Sequence, residues 1–321
     1  MKKNAIWILL VITPLIMGAC LFVGAANLAI QDWQTPLGRA IFWLRASRIA
    51  AGFVVGGALA CSGVILQALL RNPLAEPYVL GVSGGSALGA ALAIFFGAAG
   101  VFTLSSSAFA AGILALAIVY LLAHQSGTPS LYALLLSGVI ISAICSSLLM
   151  LIISIAPTEG LHSITWWMLG NLQVTSLPLL TVSAALVLAA FIGLWLMARE
   201  LNALTLGREM AHHLGVRTRL VVTVGLGLAT LMTASAVAVA GLIGFVGLIV
   251  PHVMRSVVGP DHRRLIPATM LAGGLFLTLC DTLARTLVAP IEIPVGVITA
   301  LVGGPFFLIL LRRRRHGGWS E

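Results

Sequence analysis

From Leu220 to Met254 the chain runs 35 residues without an Asp, Glu, Lys or Arg. Apolar runs of helical length recur along most of the sequence, and they restrict the possible folds more than any motif does. A helix needs roughly 20 apolar residues to cross the hydrocarbon of a bilayer, and there every backbone polar group must find its partner within the helix. The alternation of a membrane β-barrel is absent. Composition agrees: 60% of the 321 residues are hydrophobic and 8% are charged, against about 25% charged in soluble domains. The expected fold is all-α, a polytopic membrane protein with about ten transmembrane helices forming one domain over 1–321.

Ten spans are expected near 5–30, 49–70, 78–98, 105–123, 131–155, 177–198, 220–239, 242–258, 265–288 and 293–311. An even count puts both termini on one side. Basic residues choose that side, because Lys and Arg accumulate in cytoplasmic loops. With the N-terminus inside, Lys2, Lys3, Arg71, Arg199, Arg208, Arg217, Arg219, Arg255, Arg263, Arg264 and Arg312 to Arg315 are cytoplasmic. Arg39, Arg45 and Arg48 fall outside, and Arg285 lies near the outer end of a span. The net charge of +9 therefore reports membrane orientation, so nucleic acid is not an expected partner. Met17-Gly18-Ala19-Cys20 resembles a lipoprotein cleavage site. The apolar run continues to Ile30, however, so an uncleaved first helix is expected.

Much chemistry is excluded. Both lysines, Lys2 and Lys3, lie at the N-terminus, so no Walker A loop and no lysine Schiff base is possible. The seven histidines form no H-E-x-x-H, and Cys20, Cys61, Cys145 and Cys280 fall one per span, as small buried hydrophobes do. No metal and no cofactor is expected. Gly81-Val82-Ser83-Gly84-Gly85 matches a nucleophile elbow, but that motif needs a strand-to-helix turn with His and acid partners. Gly81, Gly85 and Gly89 are read instead as a small-residue stripe for close helix packing. A membrane enzyme using Ser83 is therefore rejected.

One inner segment is polar. In 199–219, Leu201, Leu204, Leu206, Met210 and Leu214 can line one side of two short helices broken around Gly207. Such a segment is either an interfacial helix on lipid or a docking surface. Its charges of both signs (Arg199, Glu200, Arg208, Glu209) suit a protein partner better than anionic lipid.

Four stretches, GGALACSGVILQALLRNPLAEPYVLGVSGGSALG (56–89), LNALTLGREMAHHLGV (201–216), GLIGFVGLIVPHVMR (241–255) and DTLARTLVAPIEIPVGVITALVGGPFF (281–307), resemble the BtuC-like (FecCD-type) permease family. These are membrane subunits of binding-protein-dependent ABC importers for cobalamin, haem and ferric siderophores. The resemblance implies two copies of the chain, two cytoplasmic ATP-binding subunits, a periplasmic substrate-binding protein and a bulky metal chelate, at a bacterial inner membrane. It implies that N-P-L-A-E-P is a cytoplasmic turn whose Asn72 and Leu74 help close a gate, with Leu131 and Tyr132 at a second gate position. These two are bulkier than the family pattern. Leu204, Leu206, Gly207, Ala211, Leu214 and Gly215 match the paired coupling helices that enter the ATPase subunits. Arg45, Arg48 and Arg285 match arginines that receive acidic residues of the binding protein, with Ser47 standing where the pattern usually has Pro.

Read without the family, Arg45 and Arg48 could equally touch lipid headgroups. Arg285 could simply pair with Asp281, four residues before it. An ion-coupled secondary transporter is the competing function, with Asp281 as its only clear carrier.

Overall fold

The computed structural model describes residues 5–24, 35–97, 100–125, 128–173 and 176–315. Lys2, Lys3 and the expected continuation of the first span over 25–30 lie outside them. The chain order is α1 Ala5–Phe22, α2 Pro36–Leu69, α3 Val82–Phe95, α4 Val101–Ala123, a two-residue antiparallel pair β1 (124–125) and β2 (128–129), then α5 Leu131–Ile155 and α6 Thr158–Met168. It continues with α7 Leu177–Leu196, α8 Ala198–Thr205, α9 Arg208–His213, α10 Thr218–Ala240, α11 Val246–Val258, α12 His262–Ala284 and α13 Val295–Arg315.

Seven helices (α1, α2, α4, α5, α7, α10 and α12) are long and apolar enough to cross a membrane; three shorter apolar helices occupy Val82–Phe95, Val246–Val258 and Val295–Leu310. These ten apolar helices fall at the places where ten spans are expected, though among the described residues only the seven are long and apolar enough to cross a membrane. Three differences stand out, the first being that α1 ends at Phe22, short of the expected residue 30. α2 starts at Pro36, well before the expected residue 49, because Thr35 caps it: the Thr35 Oγ1 accepts from the Gly38 N–H at 3.0 Å, and proline suits a first helical turn. Helix α6, where no element is expected, fills the connection between α5 and α7.

Burial sorts the long helices. The most apolar windows of α2, α10 and α12 are 83%, 67% and 67% buried, whereas that of α1 is 11% and that of α5 22%. α2 is the axle, packed on α12 and α10. Glycine permits the closest crossings. A Cβ at Gly63 would strike the Gly247 carbonyl, and one at Gly56 the Gly273 carbonyl. The expected glycine stripe divides. Gly85 and Gly89 face α4, where an added Cβ would meet Ala111 and its neighbours, while Gly81 (φ +84°) is the N-cap of α3 and faces α5. The four cysteines are buried and unbridged.

Candidate functional site

The two ends of α2 carry the candidate sites, termed outer and inner after the charge bias of the sequence. At the outer end, LRASR lies inside α2, not before it, so Arg45 and Arg48 share one helix face. That face points inward. Arg45, Arg48 and Arg285 are 5%, 6% and 4% exposed, so they form no exposed cationic rim on the single chain. Arg48 Nε donates to both oxygens of Asp281 at 2.8 and 3.0 Å, and its Nη1 donates to Glu292 Oε2 at 2.8 Å. Arg285 Nε lies 3.8 Å from Asp281, so the tighter partner of Asp281 is Arg48 and the sequence neighbour comes second. The guanidiniums also serve the backbone. Arg45 Nη1 donates to the Leu21 carbonyl at 3.0 Å and Arg285 Nη2 to that of Cys20 at 2.9 Å. Those carbonyls belong to the last turn of α1, which has no intrahelical donors of its own.

Glu292 extends the network sideways, accepting at 2.9 Å from Gln173 Nε2, in the segment after α6. Burial opposes its ionisation, but the Arg48 hydrogen bond and charge outweigh that and hold the carboxyl below its usual range. Beside this network α6 lines two adjoining cavities of about 570 and 480 Å³, which share Ser163, Trp166, Asn171 and Gln173. The sequence reading missed this vestibule along with α6.

At the inner end, residues 70–81 join α2 to α3. Asn72 Oδ1 accepts from the Leu74 N–H at 2.9 Å, a local turn that leaves Leu74 43% exposed. Beyond it the loop is locked onto the break between α10 and α11. Glu76 Oε1 accepts from the Phe245 N–H at 2.7 Å, and the Tyr78 hydroxyl both accepts from the Ile243 N–H and donates to its carbonyl, each at 3.0 Å. Gln67 Nε2 reaches the carbonyls of Ala75 and Gly247. The clue to this lock was Glu76, a lone acid in apolar sequence, facing a glycine-rich segment whose amides a helix would otherwise have used. Leu131 and Tyr132 open α5 after the Ser130 cap, with Tyr132 76% exposed. No hydrogen bond joins them to Asn72 or Leu74 among the described residues.

The segment 198–216 forms α8 and α9, broken at Gly207, whose φ of +116° only glycine adopts without strain. The expected single leucine face is corrected by the turn between the helices. Leu201, Leu204 and Ala211 are buried, whereas Leu206, Met210 and Leu214 are 64%, 52% and 59% exposed. Asn202 anchors α8: its Nδ2 donates to Asp261 Oδ1 at 2.7 Å, while its Oδ1 accepts from the His262 N–H at 2.9 Å and faces His262 Nδ1 at 2.7 Å. The Asn202 bond, with the Arg263 amide, outweighs burial and holds the Asp261 carboxyl below its ordinary range. Trp195 Nε1 adds a bond to the Arg263 carbonyl. An apolar trio is thus presented on a pair of helices tied to the start of α12.

The sequence pattern of the FecCD transport family matches residues 8–313. The chain belongs to the FecCD transport family. Among its relatives, the hemin transport system permease protein HmuU of Yersinia pestis is 41% identical over 303 residues, covering 92% of this chain and 91% of that one. The cobalamin import system permease protein BtuC of Halobacterium salinarum is 42% identical over 278 residues, covering 84% and 73%. Among solved structures, an inward-facing metal-chelate type ABC transporter superposes with a TM-score of 0.88 at 35% identity, over 97% of this chain and 99% of that one. This FecCD member is a multi-pass membrane permease of the ABC importer class, a transport subunit whose relatives are not enzymes.

Proposed function

We propose that the chain forms half of the pathway of a binding-protein-dependent importer in a bacterial inner membrane, with ten spans and both termini cytoplasmic. A second copy supplies the other wall through a self-complementary surface, with Leu74 and Tyr132, exposed on the single chain, facing that copy as gates. Two ATP-binding subunits seat on α8 and α9. The cargo is a bulky metal chelate (haem, cobalamin or a ferric siderophore), by analogy with the relatives named above. The observation that carries this reading is the Leu206, Met210 and Leu214 trio, exposed on an anchored element of a chain that has no nucleotide-binding loop of its own.

The geometry narrows the docking role of Arg45, Arg48 and Arg285. Glu292 already occupies Arg48 from the rim, with 37% of its side chain exposed. A carboxylate of the binding protein would take the place of Glu292. Ion-coupled transport is disfavoured, because both oxygens of Asp281 accept from Arg48.

Uptake by vesicles containing the permease tests the whole reading. Transport should need the ATP-binding subunits, ATP and a loaded binding protein, and ion gradients alone should do nothing. Leu206→Glu with Leu214→Glu should leave thermal stability within about 0.5 kcal/mol, as exposed substitutions do, yet abolish co-purification of the ATP-binding subunits. Retained co-purification and turnover would reduce the segment to a surface helix.

A further inference from the structure

The inner end holds a second feature that gating and coupling leave unused. Between the end of α2, the end of α8 and the start of α12 lies a cavity of about 270 Å³, lined by Gln67, Arg71, Pro73, Thr205, Arg255 and His262 among others. That volume is below the roughly 300–1,000 Å³ of sites for drug-sized ligands, too small for a chelate. Its chemistry is lopsided. Among the described residues neither Arg71 nor Arg255 has an ion pair or a side-chain hydrogen bond. Arg208 on α9 stands close enough that burial and the charge of Arg71 together hold it below the usual guanidinium range. The acids nearest in sequence, Glu76 to Arg71 and Asp261 to Arg255, are spent on the Phe245 amide and on Asn202 with the Arg263 amide.

Two residues of the lining also carry buried acceptors. His262 is 2% exposed and Gln67 4%, and His262 Nε2 and Gln67 Oε1 have no hydrogen-bond partner among the described residues. The Asn202 amide is oriented by its donation to Asp261, so its Oδ1 takes the proton of His262 Nδ1. The neutral ring is left with a bare acceptor at Nε2. A buried acceptor without a donor is costly. A small ligand that turned these four lining residues towards itself would meet two forked cations and two hydrogen-bond acceptors. A bare anion would satisfy the cations and leave the acceptors empty; a neutral polyol would do the reverse.

We propose that this cavity binds a phosphate ester carrying free hydroxyl groups, of the phosphoglycerol type. The guanidiniums take the phosphate, which their geometry fits, and the hydroxyls donate to His262 Nε2 and Gln67 Oε1. Basic pockets between helices on the cytoplasmic side suit lipid headgroups, and the same chemistry is offered by a soluble glycerol phosphate.

The test uses the full chain in neutral detergent, with thermal unfolding and equilibrium binding as readouts and no dependence on transport. Glycerol 3-phosphate, inorganic phosphate and micellar phosphatidylglycerol against a phosphatidylcholine background are titrated separately. A saturable rise in Tm with phosphatidylglycerol but not glycerol 3-phosphate assigns the lipid, the reverse assigns the soluble ester, and a rise with both supports the shared chemistry. Arg71→Gln with Arg255→Gln should weaken binding at least about tenfold, the size expected for one lost charged hydrogen bond. If that variant unfolds early, Arg71→Lys with Arg255→Lys, which keeps charge and loses the fork, should bind with intermediate affinity. No response to either ester, or undiminished binding by the variants, overturns the proposal. Inorganic phosphate binding as tightly as glycerol 3-phosphate overturns its hydroxyl half.

Discussion

The two ends of α2 are held by opposite means. At the outer end three buried guanidiniums share two carboxylates and two helix-end carbonyls. At the inner end the ties are hydrogen bonds with at least one neutral partner: a tyrosine hydroxyl, two amide side chains, and the carboxylates of Glu76 and Asp261 on backbone N–H groups. A buried ionic cluster is all-or-nothing, because losing one partner strands the others in a medium that cannot hydrate them. Separate hydrogen bonds are each worth about 1 kcal/mol and can be lost one at a time. The outer end should therefore give way as a unit. The inner end should loosen one bond at a time.

The comparison breaks most visibly at Asp281. Asp281→Ala should destabilise the chain by about 3–5 kcal/mol, the loss expected when a buried pair forfeits one member. Thermal unfolding in detergent measures it, and replacing Arg48 with Met in the same chain should recover part of the loss. A loss below about 1 kcal/mol would mean that water reaches the cluster.

At the inner end Asn202→Ala should cost less, about 1–3 kcal/mol, since it orphans the Asp261 and His262 groups without stranding a lone buried charge. Hydrogen exchange should rise over 198–216 and stay unchanged around Asp281. Equal exchange at both ends would erase the distinction.

The smallest effect sharpens the outer end alone. The Glu292 carboxyl is held below its ordinary value, so its stabilising contribution is complete above the unfolded value of about 4.3 and is lost as pH falls through the lower folded value. In the wild type Tm should fall across that acid window, and Glu292→Gln should flatten the fall. An unchanged slope in the variant would place the titration elsewhere.

The all-helical fold, the places of the apolar helices and the break at Gly207 were legible because each depends on local composition or on one residue type. The start of α2 was not. Three arginines in one stretch read as the edge of a span, and the partners that let Arg48 enter the bundle lie 233 and 244 residues away. The leucines of 201–214 were visible as apolar, but their division into buried and exposed sets depends on the angle between α8 and α9. α6 is short, and its residues Glu159, His162 and Ser163 hide it among loop-like sequence. Asn202 carries no motif at all, and its importance comes from the meeting of two helices.

α2 runs 34 residues with its one proline at the first position. At 1.5 Å per residue it is a rod of roughly 51 Å, far longer than the roughly 30 Å hydrocarbon it crosses. One end is clamped among the arginines and the other carries the Asn72 turn. A rigid rod pivoting at the glycine crossings of Gly56 and Gly63 has arms of about 35 Å towards Pro36 and about 14 Å towards Leu69, so a tilt of about 5° would move those ends by about 3 Å and about 1 Å, taking the same rise per residue. If α2 tilts as one body, a displacement at its outer end reaches the inner end reduced to less than half, by leverage alone.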